Sequence, residues 1–244
     1  MAAMEKIVKS RVCDLVTESP SRASVLTRYS IDFCCGGRSS LTEVCQEKEL
    51  DLETVANEII AHDEMLTGEL ENSVLDLNAA ELCDYIEEKH HTFLRTHLPV
   101  ALQHAMRVAQ VHGGRNPTLI TIARMFEGLK HELEMHLLKE ENVLFPLIRE
   151  MTTSGTMPES HCGSVKNPIR AMFMEHHNAG NVLSRLRQLT NDYTPPEDAC
   201  NTYRALFAEL EMIESDTHMH IHLENHVLFV KAQELERDIC ESEQ

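Results

Sequence analysis

The sequence predicts an all-α protein: a small N-terminal helical domain over residues 1–66, then an up-down-up-down four-helix bundle over residues 78–237. Two observations carry this prediction. The first is compositional. With no Trp, only 5% aromatics, nine Gly and eight Pro in 244 residues, the chain lacks the turn and strand content of an all-β fold. The second is a repeat. His136-Leu-Leu-Lys-Glu140-Glu-Asn-Val143-Leu144-Phe145 returns 84 residues later as His220-Ile-His-Leu-Glu224-Asn-His-Val227-Leu228-Phe229. Each copy sets a histidine four residues before a glutamate, about one helical turn, so imidazole and carboxylate share a face. The same Val-Leu-Phe follows in both.

The elements follow in order. Ser19-Pro20-Ser21-Arg22-Ala23 reads as a helix start with Pro in the first turn. Cys34-Cys35-Gly36-Gly37 breaks that helix. Ser40 and Glu43 form a capping-box pattern for a second helix. Asp51 caps a third, through Val55, Ile59 and Ile60. The polar stretch Thr67 to Asn78 reads as a linker. The first bundle helix starts near Ala79 and runs past His90 and His91 to about Val111, with Pro99 expected to kink or interrupt it. Gly113-Gly114 and Pro117 end it. The second runs from about Thr118 to Met151, and residues 152–167 form a loop. The third spans Pro168 to Leu189, and the fourth runs from about Glu197 to Ile239. Short connections favour antiparallel neighbours.

Forty acidic against 22 basic residues give a net charge of −18. Such a surface repels nucleic acid and anionic membrane. No apolar stretch approaches transmembrane length, and the N-terminus has no signal-peptide run. The eight cysteines form no CxxC pair, so reduced thiols in a cytoplasmic compartment are expected.

Fourteen of the fifteen histidines lie between His90 and His226. A lone histidine precedes each repeated motif by about 45 residues: His90 or His91 before His136, and His176 or His177 before His220. His112, at the end of the first bundle helix, is a further candidate. Imidazoles and carboxylates pointing into an apolar core are expensive unless compensated, and a metal compensates them. Facing Glu/His sets are how bundles build di-iron sites. The candidate ligands are His91, His112, His136, His176 and His220 with Glu140 and Glu224. If both glutamates and an oxo or hydroxo group bridge two metals, the metal with three histidines is six-coordinate. The other has an open position. Imidazole plus carboxylate in this geometry suits iron, and the open position suits dioxygen or nitric oxide. His97, His104, His131, His161, His218, His222 and His226 read as surface or supporting groups. Phase sets His222 about 200° around the helix from His220, facing away from the site.

These features together resemble the RIC family (repair of iron centres), the YtfE/ScdA-like di-iron proteins with a hemerythrin-like domain. The resemblance rests on Ile31 to Gly37 with its Cys34-Cys35 pair, His91 upstream of Leu98-Pro99, His112, the His136-to-Phe145 motif, Glu175-His176 and the His220-to-Phe229 motif. It implies a hemerythrin-like bundle in which those seven positions hold a di-iron centre bridged by the two glutamates, which selects His91 over His90 and His176 over His177. It also implies repair of iron-sulfur clusters damaged by nitric oxide or peroxide, with damaged iron-sulfur proteins as clients and iron donation as the means. Nitric oxide reduction at the centre is also associated with such proteins, and self-association into a homodimer is compatible with the reading. Two departures are present: His177 stands where the family has Asp, and Val230 where its motif ends in Pro. Cys34 and Cys35 read either as a thiol site beside a flexible turn or as an inert buried pair.

Overall fold

The computed structural model describes residues 2–65, 72–158 and 163–242. Among them the chain is helical throughout, with a single isolated antiparallel bridge between Arg11 and Ser40. His161, Cys162 and the first part of the expected linker lie outside the described residues.

The N-terminal domain comprises α1 (Ala2–Lys9), α2 (Val12–Glu18), α3 (Ala23–Arg28), α4 (Leu41–Glu47) and α5 (Leu52–Met65). Local chemistry sets its boundaries. At Ser40 the capping box closes in both directions: Ser40 Oγ accepts from the Glu43 backbone N–H at 3.2 Å, and Ser40 N–H donates to Glu43 at 2.8 Å. Asp51 caps α5 by accepting from Thr54 N–H at 2.7 Å. Between α3 and α4 the chain doubles back closely. A side chain at Gly37 would strike the Phe33 carbonyl and come within 2.9 Å of Cys13 Cβ, so only glycine fits. Val12, Leu15, Val25, Leu26, Phe33, Leu41 and Ile59 form this domain's core.

The expected linker is in part helix. α6 (Asn72–Asp76) is anchored by Val74, which is buried against the bundle. The bundle follows as α7 (Ala79–Ile86), α8 (Thr92–His112), α9 (Thr118–Lys139), α10 (Phe145–Ser154), α11 (Lys166–Leu189), α12 (Asn201–Leu223) and α13 (Phe229–Ser242). Asn78 starts it with a second capping box to Glu81, and Gly155, at φ 65°, ends α10 in a left-handed turn. α8 packs on α9, α9 on α11, α11 on α12, and α12 back on α8. This is the up-down order the short connections predict.

Two local features shape these helices. Pro99 does not interrupt α8, which continues to His112; neighbouring turns hold the helix across the one missing N–H. Nor are three of the bundle helices regular. Each contains one π-helical turn, at Glu87–His91, Glu140–Leu144 and Glu224–Leu228. A π turn inserts one residue into the helical phase and re-aims the side chains there.

Buried side chains of the bundle form two apolar layers. One includes Leu94, Phe126, Leu133, Leu137, Leu183 and Ile213. The other includes Ile86, Leu144, Phe145, Met172, Leu223 and Phe229. The π turns fall between the two layers.

The N-terminal domain is docked onto the bundle. Ile221 joins the domain's own apolar cluster, with Met219 at its edge, and α2 packs on the Glu224–Leu228 turn. We propose that the two parts nevertheless fold separately. A chain beginning at Asn78 is expected to keep its helical content and bind metal. Exposing Ile221 should cost about 1.5–3 kcal/mol. Circular dichroism melting and metal analysis check this, and loss of either helix or metal refutes the division.

Candidate metal centre

Four imidazoles and two carboxylates fill the band between the apolar layers. His91, His136, His176 and His220, with Glu140 and Glu224, are each at most 3% exposed. The His-xxx-Glu spacing does locally what was expected. His136 Nε2 lies 3.0 Å from Glu140 Oε1, and His220 Nε2 lies 3.2 Å from Glu224 Oε1. Across the bundle, His91 Nε2 comes to 3.3 Å from Glu140 Oε2, and His176 Nε2 to 3.0 Å from Glu224 Oε2. The donors form two tetrads, His91-Glu140-His220-Glu224 and His136-Glu140-His176-Glu224. Both glutamates belong to both.

His112 is the one expected ligand that the fold does not bring there, so seven converging residues become six. It ends α8, 21 residues beyond His91, which at 1.5 Å per residue is about 30 Å along the helix. Its Nε2 instead meets Cys200 Sγ at 3.3 Å, and its ring packs near Tyr203. A lone histidine at a helix end carries no signal that distinguishes these two outcomes.

A cation fits the six. His91 Nδ1 faces Glu141 Oε1 at 2.7 Å and His136 Nδ1 faces Glu175 Oε2 at 3.0 Å. His176 Nδ1 faces Asn225 Oδ1 at 2.9 Å. Each partner is an acceptor, so each Nδ1 carries the proton and each neutral ring turns a bare Nε2 lone pair inward. Nε2 of His136 and Nε2 of His176 then face each other at 3.2 Å. Two lone pairs at that distance repel unless a proton or a metal lies between them. Nε2 of His91 and of His220, and all four carboxylate oxygens, are buried without a hydrogen-bond partner despite these short approaches. They aim at shared points rather than at one another's hydrogens.

The electrostatics of the metal-free centre agree. Burial lowers the pKa of His136, but the Glu140 charge and its hydrogen bonds to Glu140 and Glu175 outweigh this and hold it up at about 10. A proton there takes the metal's place. His220 goes the other way: burial, with His91, His90 and His136 around it, keeps it well below the ordinary histidine value and ready to ligate. Burial raises both glutamates, yet the surrounding histidines outweigh it and leave Glu140 and Glu224 ionised.

Sequence reasoning missed the supporting partners. Glu141 also holds Arg95 at 2.7 Å, and Glu175 holds Lys139 at 2.5 Å. Asn225 links His176 to the N-terminal domain, its Nδ2 donating to the Cys34 carbonyl at 3.5 Å. His90, adjacent to a ligand, stacks on His220 at 5.7 Å and faces Asp216 at 2.9 Å. Adjacency to a ligand in sequence was the available signal for Glu141, Glu175, Asn225 and His90. A cavity of about 310 Å3 reaches His136, His176 and His220 from the α9–α11–α12 side, with Lys139 and Glu175 in its wall.

His218, His222 and His226, which read as surface or supporting groups in the sequence, form one stripe. It is the docking face for the N-terminal domain. His222 is 1% exposed, and it meets Thr17 Oγ1 at 3.2 Å and the Phe33 carbonyl at 3.3 Å. His226 Nε2 donates to the Cys34 carbonyl at 2.7 Å. His222 does face away from the metal donors, as its phase required, but toward protein rather than water. Cys34 and Cys35 sit on that same loop, with Sγ atoms 3.9 Å apart.

A helical bundle with a buried, carboxylate-rich histidine centre defines a metal-binding protein of the hemerythrin type. Residues 83–232 match the hemerythrin HHE cation binding domain, and residues 8–63 match a domain of unknown function, DUF542, the ScdA N-terminal domain. The iron-sulfur cluster repair protein ScdA of Staphylococcus haemolyticus is 33% identical over 226 residues, covering 91% of this chain and 97% of the relative. The iron-sulfur cluster repair protein YtfE of Edwardsiella ictaluri is 33% identical over 219 residues, covering 90% and 94%. A probable iron-sulfur cluster repair protein of Haemophilus influenzae is 32% identical over 224 residues, covering 91% and 95%. The chain belongs to the ScdA/YtfE family of iron-sulfur cluster repair proteins. Among its described residues, no helix is long and apolar enough to cross a membrane.

Proposed function

We propose that this protein repairs iron-sulfur clusters damaged by nitrosative or oxidative stress by supplying iron from a di-iron centre to client proteins. The observation that carries this reading is the pair of tetrads sharing both carboxylates. On this reading His91 and His220 would hold one iron and His136 and His176 the other, with Glu140 and Glu224 available to both. Bound iron supplies redox chemistry and affinity for small ligands such as nitric oxide or dioxygen. The chain's own residues do the rest. Glu141, Glu175 and Asn225 fix three imidazoles in the ligating tautomer. The apolar layers exclude bulk water, and the cavity beside His136 gives access. Each tetrad would offer a metal two imidazoles and two carboxylates, a donor set small enough to suit release as well as storage. The Cys34-Cys35 loop serves as a thiol site facing the bundle.

The test mixes iron-loaded protein with an iron-sulfur enzyme damaged by nitric oxide and follows the return of enzyme activity. Recovery is expected, at about two irons per chain by the donor count, and it should drop in a Cys34→Ala/Cys35→Ala double variant. A fully loaded protein that restores nothing refutes the repair reading, and full activity of the double variant refutes the thiol role.

A further inference from the structure

A second cavity, of about 340 Å3, lies away from the metal centre between the two domains. That volume lies in the range of small-molecule sites. Asp32, Cys34, Cys35 and Lys48 line it from the N-terminal domain, and Asn181 and Arg187 from α11. Its two thiols differ. Cys34 is 2% exposed, whereas Cys35 is partly exposed to the cavity. The Cys34 S–H lies 3.2 Å from Asp32 Oδ1 and 3.9 Å from Cys35 Sγ, so it serves as a donor. The hydrogen bond to Cys35, burial and the Asp32 charge raise the Cys34 pKa well above the ordinary thiol value. Cys34 therefore stays protonated and buried, which leaves Cys35, whose side chain reaches the cavity, as the thiol a disulfide can approach.

The acids nearby are already engaged. Asp32 accepts the backbone N–H groups of Cys34, Cys35 and Gly36 at 2.8–2.9 Å, closing the loop. Its oxygens are thereby committed, which disfavours a metal on Asp32, Cys34 and Cys35. Glu214 is held by Arg187 at 2.5 Å. Lys48 is exposed and makes no ion pair among the described residues. The cavity thus offers one partly exposed thiol, Cys35, and one cation, Lys48, without an ion pair among the described residues.

We propose that this cavity is a thiol–disulfide exchange site, in which Cys35 attacks a carboxylate-bearing low-molecular-weight disulfide held by Lys48. The Cys35 thiolate attacks one sulfur of RS–SR. The new Cys35–S–S–R bond forms as the RS–SR bond breaks, and RS⁻ leaves with the electron pair and takes a proton from water. Cys35 is oxidised and the leaving sulfur reduced. Cys34, held protonated, does not displace the adduct, so the mixed disulfide persists. The adduct sits one residue from the Cys34 carbonyl that Asn225 and His226 hold, and Asn225 also orients His176. This deepens the thiol reading above, and its readout does not depend on repair activity.

The test treats the reduced full chain with oxidised glutathione, or with the uncharged bis(2-hydroxyethyl) disulfide, and maps adducts by peptide mass. One adduct is expected, at Cys35, forming at least tenfold faster than at Cys200 or Cys240, the exposed cysteines among the described residues. Cys34→Ser should keep it. Lys48→Glu should slow the glutathione reaction about fivefold or more and leave the uncharged probe unaffected. Adducts on Cys200 or Cys240 with Cys35 untouched overturn the proposal. So does a Lys48→Glu variant that slows both probes equally or neither. Thiols that react only after a chelator is added overturn it in favour of a soft-metal site.

Discussion

Glu224→Ala is expected to empty the metal centre, while His222→Ala and His112→Ala leave it loaded. Glu224 contributes to both tetrads, so its loss removes a donor from both at once. The metal-binding free energy is partly folding free energy, so the melting temperature should fall with the metal. His222, two residues earlier, faces the other way and holds Thr17 and the Phe33 carbonyl. Its removal strands a buried carbonyl and should cost about 1–3 kcal/mol. That loss should appear as looser docking of the N-terminal domain, read as faster proteolysis between residues 66 and 78. His112→Ala should change neither quantity, because its neighbours are Cys200 and Tyr203. Metal per chain, the near-ultraviolet absorption of a bridged pair and proteolysis rates are measured side by side. A metal-free His222→Ala beside a fully loaded Glu224→Ala would refute the centre described here.

The metal-free and metal-loaded proteins are expected to respond to pH in opposite directions. In the metal-free fold His136 is raised to about 10, above its unfolded value of 6.5. Its contribution to stability is therefore fully present below pH 6.5 and is lost as pH rises through 10. A shift of that size corresponds to a few kcal/mol. That amounts to a fall in melting temperature on the order of 10 °C between pH 7 and pH 10. Metal displaces this proton, so the loaded protein lacks that fall. It is vulnerable at the acid end instead, where protons compete for the imidazoles, and metal retention should weaken toward pH ~6 and below. Metal uptake near pH 7.5 should release about one proton per chain from His136, measurable with an indicator dye. A metal-free protein that is no less stable at pH 10 than at pH 7 would remove the proton from His136. Metal content unchanged from pH 8 to pH 5 would remove histidine from the ligand set.

Much of the fold was legible because its signals are local. The capping box at Ser40 uses residues three positions apart. The His-xxx-Glu pairs likewise meet within one turn of their own helices. Features that depend on distant segments were less so. Nothing in the sequence distinguishes the helix-end His112 from His91, which joins the buried donor cluster, because the difference is some 30 Å of helix axis. For His218, His222 and His226 the sequence left surface and supporting roles open, because a helix cannot announce which of its polar faces another domain will cover.

By itself the sequence determined the helical class and the two His-xxx-Glu pairs, His136 with Glu140 and His220 with Glu224, since each follows from spacing along one helix. Only the tertiary structure decided that both glutamates serve both tetrads and that Nε2 of His136 and His176 confront each other. It alone placed the dithiol loop against α11 and α12. The physical reason is range. A helical turn fixes neighbours three and four residues apart. The apposition of four helices and a docked domain comes from burying apolar layers contributed by segments more than a hundred residues apart, for which the sequence carries no ruler.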